Sequence, residues 1–118
     1  MTAGEIAEPI DWPRLLESLD GDEDFARELA DTYIDSGDSL LSELAAAVEH
    51  GDCVAVGSTA HALKGASANM LDSHAADAAA ELEAAARAGE TGRLETLAAE
   101  LTRHFTAAAN FLRSKALN

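Results

Sequence analysis

Apolar residues recur along most of this chain at spacings of three and four, the period of a helix. Residues 1–9 stand apart as a small, acidic lead-in ending in proline. Asp11 before Trp12 and Pro13 is a helix start with aspartate as the N-cap. Trp12, Leu15, Leu16 and Leu19 then mark a short first helix that stops at Asp20-Gly21. A second helix opens at Asp22, with Glu23 and Asp24 in the first turn, where the helix dipole favours them. Its apolar side reads Phe25, Leu29, Tyr33, Leu40, Leu41, Leu44 and Val48, with Gly37 interrupting a pattern that resumes beyond it. The stop is His50-Gly51, with glycine at the usual C-terminal position. Asp52 caps a third helix running to about Met70. Asp72 or Ser73 caps a fourth, rich in alanine, that runs to Ala88. After the turn Gly89 to Gly92, a fifth runs from about Arg93 to Lys115 on Leu94, Leu97, Leu101, Phe105, Ala108 and Leu112.

One short helix and four long ones joined by tight turns predict an all-α fold. Short connections favour antiparallel neighbours, which gives an up-down-up-down four-helix bundle with the first helix packed across one end. The domain is expected over residues 10–118.

Composition narrows the possibilities. The 118 residues suffice for one domain, and aromatics are only 4%, so leucine, alanine, valine and isoleucine must build the core. Eight basic residues against 22 acidic ones leave a net charge of −14, which argues against nucleic acid and against anionic membranes as partners. Cys53 is the one cysteine, so an intramolecular disulfide and a cysteine-based zinc site are excluded. No apolar run approaches the roughly 20 residues of a membrane span. Met1 to Pro9 carries Glu5 and Glu8 and no basic residue, unlike a signal peptide. The expected address is the cytoplasm, and Met1 with the complete helix pattern favours a separate protein.

The third helix carries the chemistry. At 100° per residue, Val56, Thr59, Ala60, Leu63, Ser67 and Met70 form a core arc. His61 lies on the other side with Val54, Gly57, Ser58, Lys64, Gly65 and Ala68, nearly all small. Two glycines inside a helix each cost about 1 kcal/mol against alanine and cap nothing. Gly65, one turn past His61, leaves a flat patch by which another surface can reach the imidazole. Gly57 serves either access or packing. Lys64 places an ammonium beside the ring. A nucleophilic ring nitrogen, an adjacent cation and a bare approach suit phosphoryl transfer. His50, His74 and His104 have no histidine three or four residues away, so metal-ligand spacing is absent. Cys53 reads as a packing residue.

The run His61-Ala62-Leu63-Lys64-Gly65-Ala66-Ser67-Ala68-Asn69 resembles the signature of histidine-containing phosphotransfer (HPt) domains, the carriers of two-component phosphorelays. Leu19-Asp20-Gly21-Asp22-Glu23, the segment Ala45 to Asp52, and Leu82-Glu83-Ala84-Ala85-Ala86-Arg87 are similar to the family as well. The likeness thus runs from about Ile10 to Leu112. Leu71 departs from it, standing where members usually have glycine.

The resemblance implies a phosphate carrier and not an enzyme with its own kinase domain. His61 would take a phosphoryl group through Nε2 from a phospho-aspartate on a receiver domain and pass it to another receiver. Lys64 would stabilise the transferring charge, and the Mg²⁺ would belong to the receiver, leaving this chain no cofactor or metal of its own. The implied partners are receiver domains and a hybrid sensor kinase, engaged by a monomer. Gly65, Gly57, Ser58 and Ala68 around the histidine are docking candidates, with Leu15 and Leu16 of the first helix, since the family's receiver contact spans the first three helices.

Glu83 lies 11 residues after Asp72 and His61 lies 11 before it. In antiparallel helices reversing there, the two are level. The matching family position often holds a polar residue that hydrogen-bonds the histidine. A carboxylate accepting from Nδ1–H would orient the ring and free Nε2. The alternative is that Glu83 is plain surface or pairs with Arg87 one turn on. Two other functions stay open on sequence: a non-signalling interaction bundle in which His61 is incidental, and the phospho-accepting module of a larger kinase, although no glycine-rich nucleotide motif is present.

Overall fold

The computed structural model describes residues 8–116, so the lead-in expected over 1–9 lies almost wholly outside the described residues. The helices are α1 (Trp12–Ser18), α2 (Glu23–Glu49), α3 (Cys53–Asn69), α4 (Ser73–Arg87) and α5 (Leu94–Ala116), with a 3₁₀ turn at Thr91–Arg93 before the last.

Aspartate starts each of the first four. Asp11, Asp22, Asp52 and Asp72 accept the backbone N–H three residues on, at 3.0–3.1 Å. Each so satisfies a donor that the first turn leaves unpaired, typically worth about 1 kcal/mol. The ends also share one design. At the close of α3, the Asp72 N–H donates to Ser67 O and the Leu71 N–H to Ala68 O, at 2.9 and 3.0 Å. This pairing needs a left-handed residue just past the cap. Gly51 and Gly89 fill that place after α2 and α4, with φ of +64° and +73°. After α3 it falls to Leu71, at φ +59°. Glycine would take this left-handed backbone without strain. A leucine holds it here at a cost of about 1–2 kcal/mol.

α2 packs on α3 and α5, and α4 packs on the same two. The core divides in two. One part centres on Leu44, Val56, Leu63, Leu82 and Leu101. The other gathers Ile10, Leu15, Ile34, Met70, Phe105 and Leu112, and brings α1 against the end of α2, α3 and α5. α2 runs unbroken through Gly37. That glycine is buried, and a Cβ there would lie 2.1 Å from the Phe105 ring of α5, so its missing side chain is the space the ring occupies. Phe105 in turn meets Tyr33 edge-on, with centroids 5.1 Å apart.

Two placements differ from the sequence reading. Leu15 is buried at 2% exposure, so it belongs to the core and drops out of the docking candidates. Phe25, expected on the apolar side of α2, is 45% exposed, while its neighbour Ala26 takes the buried place in the first turn. Among the described residues no helix is long and apolar enough to cross a membrane.

Candidate functional site

α3 buries Val56, Ala60, Leu63 and Ser67 and presents Ser58, His61, Ala62, Gly65, Ala68 and Asn69 to solvent. The His61 side chain is 64% exposed. A Cβ on Gly65 would meet nothing within 4 Å, so the patch beside the ring is open. Gly57, by contrast, is buried in the seam with α4, where a Cβ would lie 3.8 Å from Ala86 Cβ and 3.9 Å from Arg87 Cγ. Of the two readings for Gly57, packing holds, and it does not belong to an open docking face.

α4 approaches closely because Ala75, Ala79 and Ala86 line its inner stripe beside Leu82. Glu83 sits at the edge of that stripe, its side chain only 9% exposed, and reaches α3. Its Oε2 accepts from His61 Nδ1 at 3.0 Å. Its Oε1 accepts from Lys64 Nζ at 2.8 Å. Arg87, one turn along α4, donates to Oε2 through Nε at 3.0 Å and Nη2 at 2.7 Å. The histidine contact and the arginine pairing, set against each other on sequence, therefore coexist. Arg87 is the member that sequence reasoning left out of the site, although the i, i+4 spacing to Glu83 was its signal.

The electrostatics follow. The Lys64 ammonium first, and then the Arg87 guanidinium, hold the Glu83 carboxyl down to about 2 against the opposing effect of burial, with His61 adding to them. Glu83 is thus a carboxylate at any physiological pH, and a carboxylate only accepts. The proton of a neutral His61 ring must then sit on Nδ1, leaving the Nε2 lone pair bare and facing solvent. Lys64 is not a free ammonium beside the ring, as expected from sequence; it is tied to Glu83. Two cations against one carboxylate leave a local excess of positive charge in a chain whose net charge is −14.

Behind this face a buried polar group fixes the end of α3. The Tyr33 hydroxyl of α2 lies 2.8 Å from Ser67 Oγ and donates to Asp72 Oδ2 at 3.3 Å. Burial pushes the Asp72 carboxyl above its ordinary value, against the Ala75 N–H and the Tyr33 hydroxyl, which pull it down. Burial likewise raises the Tyr33 hydroxyl. Leu16 of α1 is half-buried, and Ser58 and Ala68 are exposed, as a docking role requires. His74 and His104, unconnected in sequence, stack across α4 and α5 with centroids 5.7 Å apart.

Residues 28–111 match the Hpt domain. The chain belongs to the Hpt domain family. Among solved structures it is similar to histidine-containing phosphotransfer protein B (HptB) from Pseudomonas aeruginosa PAO1, at 34% identity and a TM-score of 0.85, over 93% of this chain and 96% of that one. A search of the curated proteins finds no match. Hpt domains are phosphotransfer carriers and not kinases, and a phosphorelay carrier role fits this chain's fold and family alike. The family match begins at residue 28, so α1 and the exposed Phe25 lie outside it.

Proposed function

We propose that His61 is the phosphoacceptor of an Hpt carrier that moves phosphoryl groups between receiver domains. The observation that carries this reading is the pairing of a buried carboxylate on Nδ1 with an open approach to Nε2. In the step itself the Nε2 lone pair attacks phosphorus, and the bond from phosphorus to the receiver's aspartyl oxygen breaks. The aspartate leaves as carboxylate, and the ring keeps its Nδ1 proton. Such a transition state is loose, so positioning and charge stabilisation dominate. Glu83 positions the ring, and Lys64, which stays tied to Glu83, adds positive charge to the field beside the transferring group without leaving the carboxylate. The Mg²⁺ that assists belongs to the receiver, and the chain itself uses no cofactor or kinase domain.

The domain spans 10–118 in this reading, as an antiparallel up-down-up-down bundle with α1 across one end. Glu81 meets Arg93 across the turn from α4 to α5, and α2 meets α5 near its end at Val48 with Ala98 and further back at Tyr33 with Phe105, which supports antiparallel neighbours. Docking uses Gly65, Ser58, Ala68 and Leu16. The partners are receivers and a hybrid sensor kinase, met in the cytoplasm by a monomer. The test is incubation with a phosphorylated receiver followed by intact-mass measurement. The wild type gains one phosphoryl group and His61→Gln gains none; label on the variant overturns the assignment.

A further inference from the structure

Glu83 engages His61, Lys64 and Arg87 together, and that arrangement has a consequence for the phosphorylated protein. In the free protein both site cations, Lys64 and Arg87, donate to its carboxylate. The same carboxylate takes the His61 Nδ1 proton. A phosphoryl group on Nε2 brings about two negative charges and three acceptor oxygens. It can gain Lys64 or Arg87 only by drawing them from a carboxylate that is 9% exposed and left without them. Stripping partners from a buried carboxylate is costly.

The ring proton acts in the same direction. After transfer, phosphohistidine holds phosphorus on Nε2 and the proton on Nδ1, a cationic ring beside the Glu83 anion. When the phosphoryl group leaves, the bond from Nε2 to phosphorus breaks, its electron pair stays on the ring, and neutral imidazole departs. Without the Nδ1 proton the departing group would be imidazolate, a far poorer one. An anion that accepts from Nδ1–H keeps the ring protonated and the phosphoryl group mobile.

We infer that Glu83 sets the lifetime of the phosphoryl group on His61, withholding Lys64 and Arg87 from it and holding the ring proton, so that this Hpt domain is a transit carrier and not a phosphate store. The inference rests on His61 as the acceptor. Glu83 is a positioning residue in it, since it touches the reacting group only through the ring and the two cations. The replacement that isolates the charge is Glu83→Gln. It keeps the length and an oxygen for Nδ1–H while removing the anion.

The experiment phosphorylates wild type and Glu83→Gln with the same receiver, removes the receiver, and follows loss of phosphohistidine at neutral pH by intact mass. It then measures the end point of transfer between each protein and the receiver. The variant is expected to hold phosphate roughly three- to tenfold longer and to shift the equilibrium towards His61 by a similar factor, the range that two partly exposed ion pairs support. A purely structural role for Glu83 would not lengthen the lifetime. An equal or shorter lifetime in the variant overturns the inference while leaving the carrier assignment intact. Absence of phosphate from wild-type His61 overturns the carrier assignment itself. A second reading needs no variant: the Arg87 Nε–H signal in NMR spectra of the wild type. A signal that stays in place on phosphorylation shows Glu83 keeping the guanidinium, and one drawn over to the phosphoryl oxygens contradicts the withholding.

Discussion

Gly65→Gln should make the protein more stable and a worse carrier. The position is mid-helix and solvent-exposed, and a Cβ there meets nothing within 4 Å, so no packing is disturbed. Glycine is about 0.8–1.0 kcal/mol less favourable than alanine in a helix and glutamine lies close to alanine, so the gain is roughly 0.5–1 kcal/mol. For a domain of this size that is a rise of a few degrees in Tm. Function moves the other way. Position 65 is one turn, about 6 Å, past His61. Helical side chains tilt towards the N-terminus, so a glutamine at 65 lies over the turn that carries the ring. The receiver's phosphorus must come within about 3–3.5 Å of Nε2, and a misplacement of 1 Å can cost a hundredfold in rate. Single-turnover transfer from a phosphorylated receiver should therefore slow by about two orders of magnitude, while thermal unfolding shifts upward. A wild-type rate in a stabilised variant would refute the idea that this glycine exists for access. A destabilised variant would refute the open space from which the gain is worked.

The glycine inside α2 should respond with the opposite sign. Gly37→Ala drives a Cβ into the Phe105 ring, and overpacking of about 1–3 kcal/mol exceeds the helix gain of about 1, so chemical denaturation should show net destabilisation. At position 71 both Leu71→Gly and Leu71→Ala lose the leucine's partial packing, but only glycine relieves φ +59°; Leu71→Gly should unfold at higher denaturant than Leu71→Ala, by about 1 kcal/mol, and the reverse order would contradict a left-handed residue there. Glu83 gives a pH dependence. Its folded value of about 2 lies below the ordinary 4.5, so its contribution is complete above 4.5 and is lost as pH falls towards 2. Wild type should lose more stability than Glu83→Gln across that window in acid titrations of unfolding, and parallel curves would show that the ion pairs are absent in solution.

Much of the fold was legible because it is written in local signals. Aspartates at 11, 22, 52 and 72 mark helix starts, Gly51 and Gly89 mark ends, and apolar spacing fills the stretches between. The level placement of His61 and Glu83 followed from arithmetic about one tight turn. What escaped depends on pairs distant in sequence. Gly37 could not be assigned to Phe105, nor His74 to His104, without knowing how α5 lies against its neighbours. Leu71 hid the left-handed turn that follows α3, since leucine carries no mark of a left-handed backbone. The sequence predicts an open histidine with a lysine beside it and Glu83 level with the ring. The carboxylate that gathers Lys64 and Arg87 around that histidine was not legible, because spacing shows which groups can meet but not that one acceptor will hold all of them.

The most direct measurement on the carrier is the position of the phosphoryl group, from ¹⁵N–³¹P correlation NMR of the receiver-phosphorylated protein labelled on its histidines. Phosphorus bonded to Nε2 of His61, with the proton retained on Nδ1, is the result that the Glu83 geometry demands. Phosphorus on Nδ1, or on His50, His74 or His104, would contradict it.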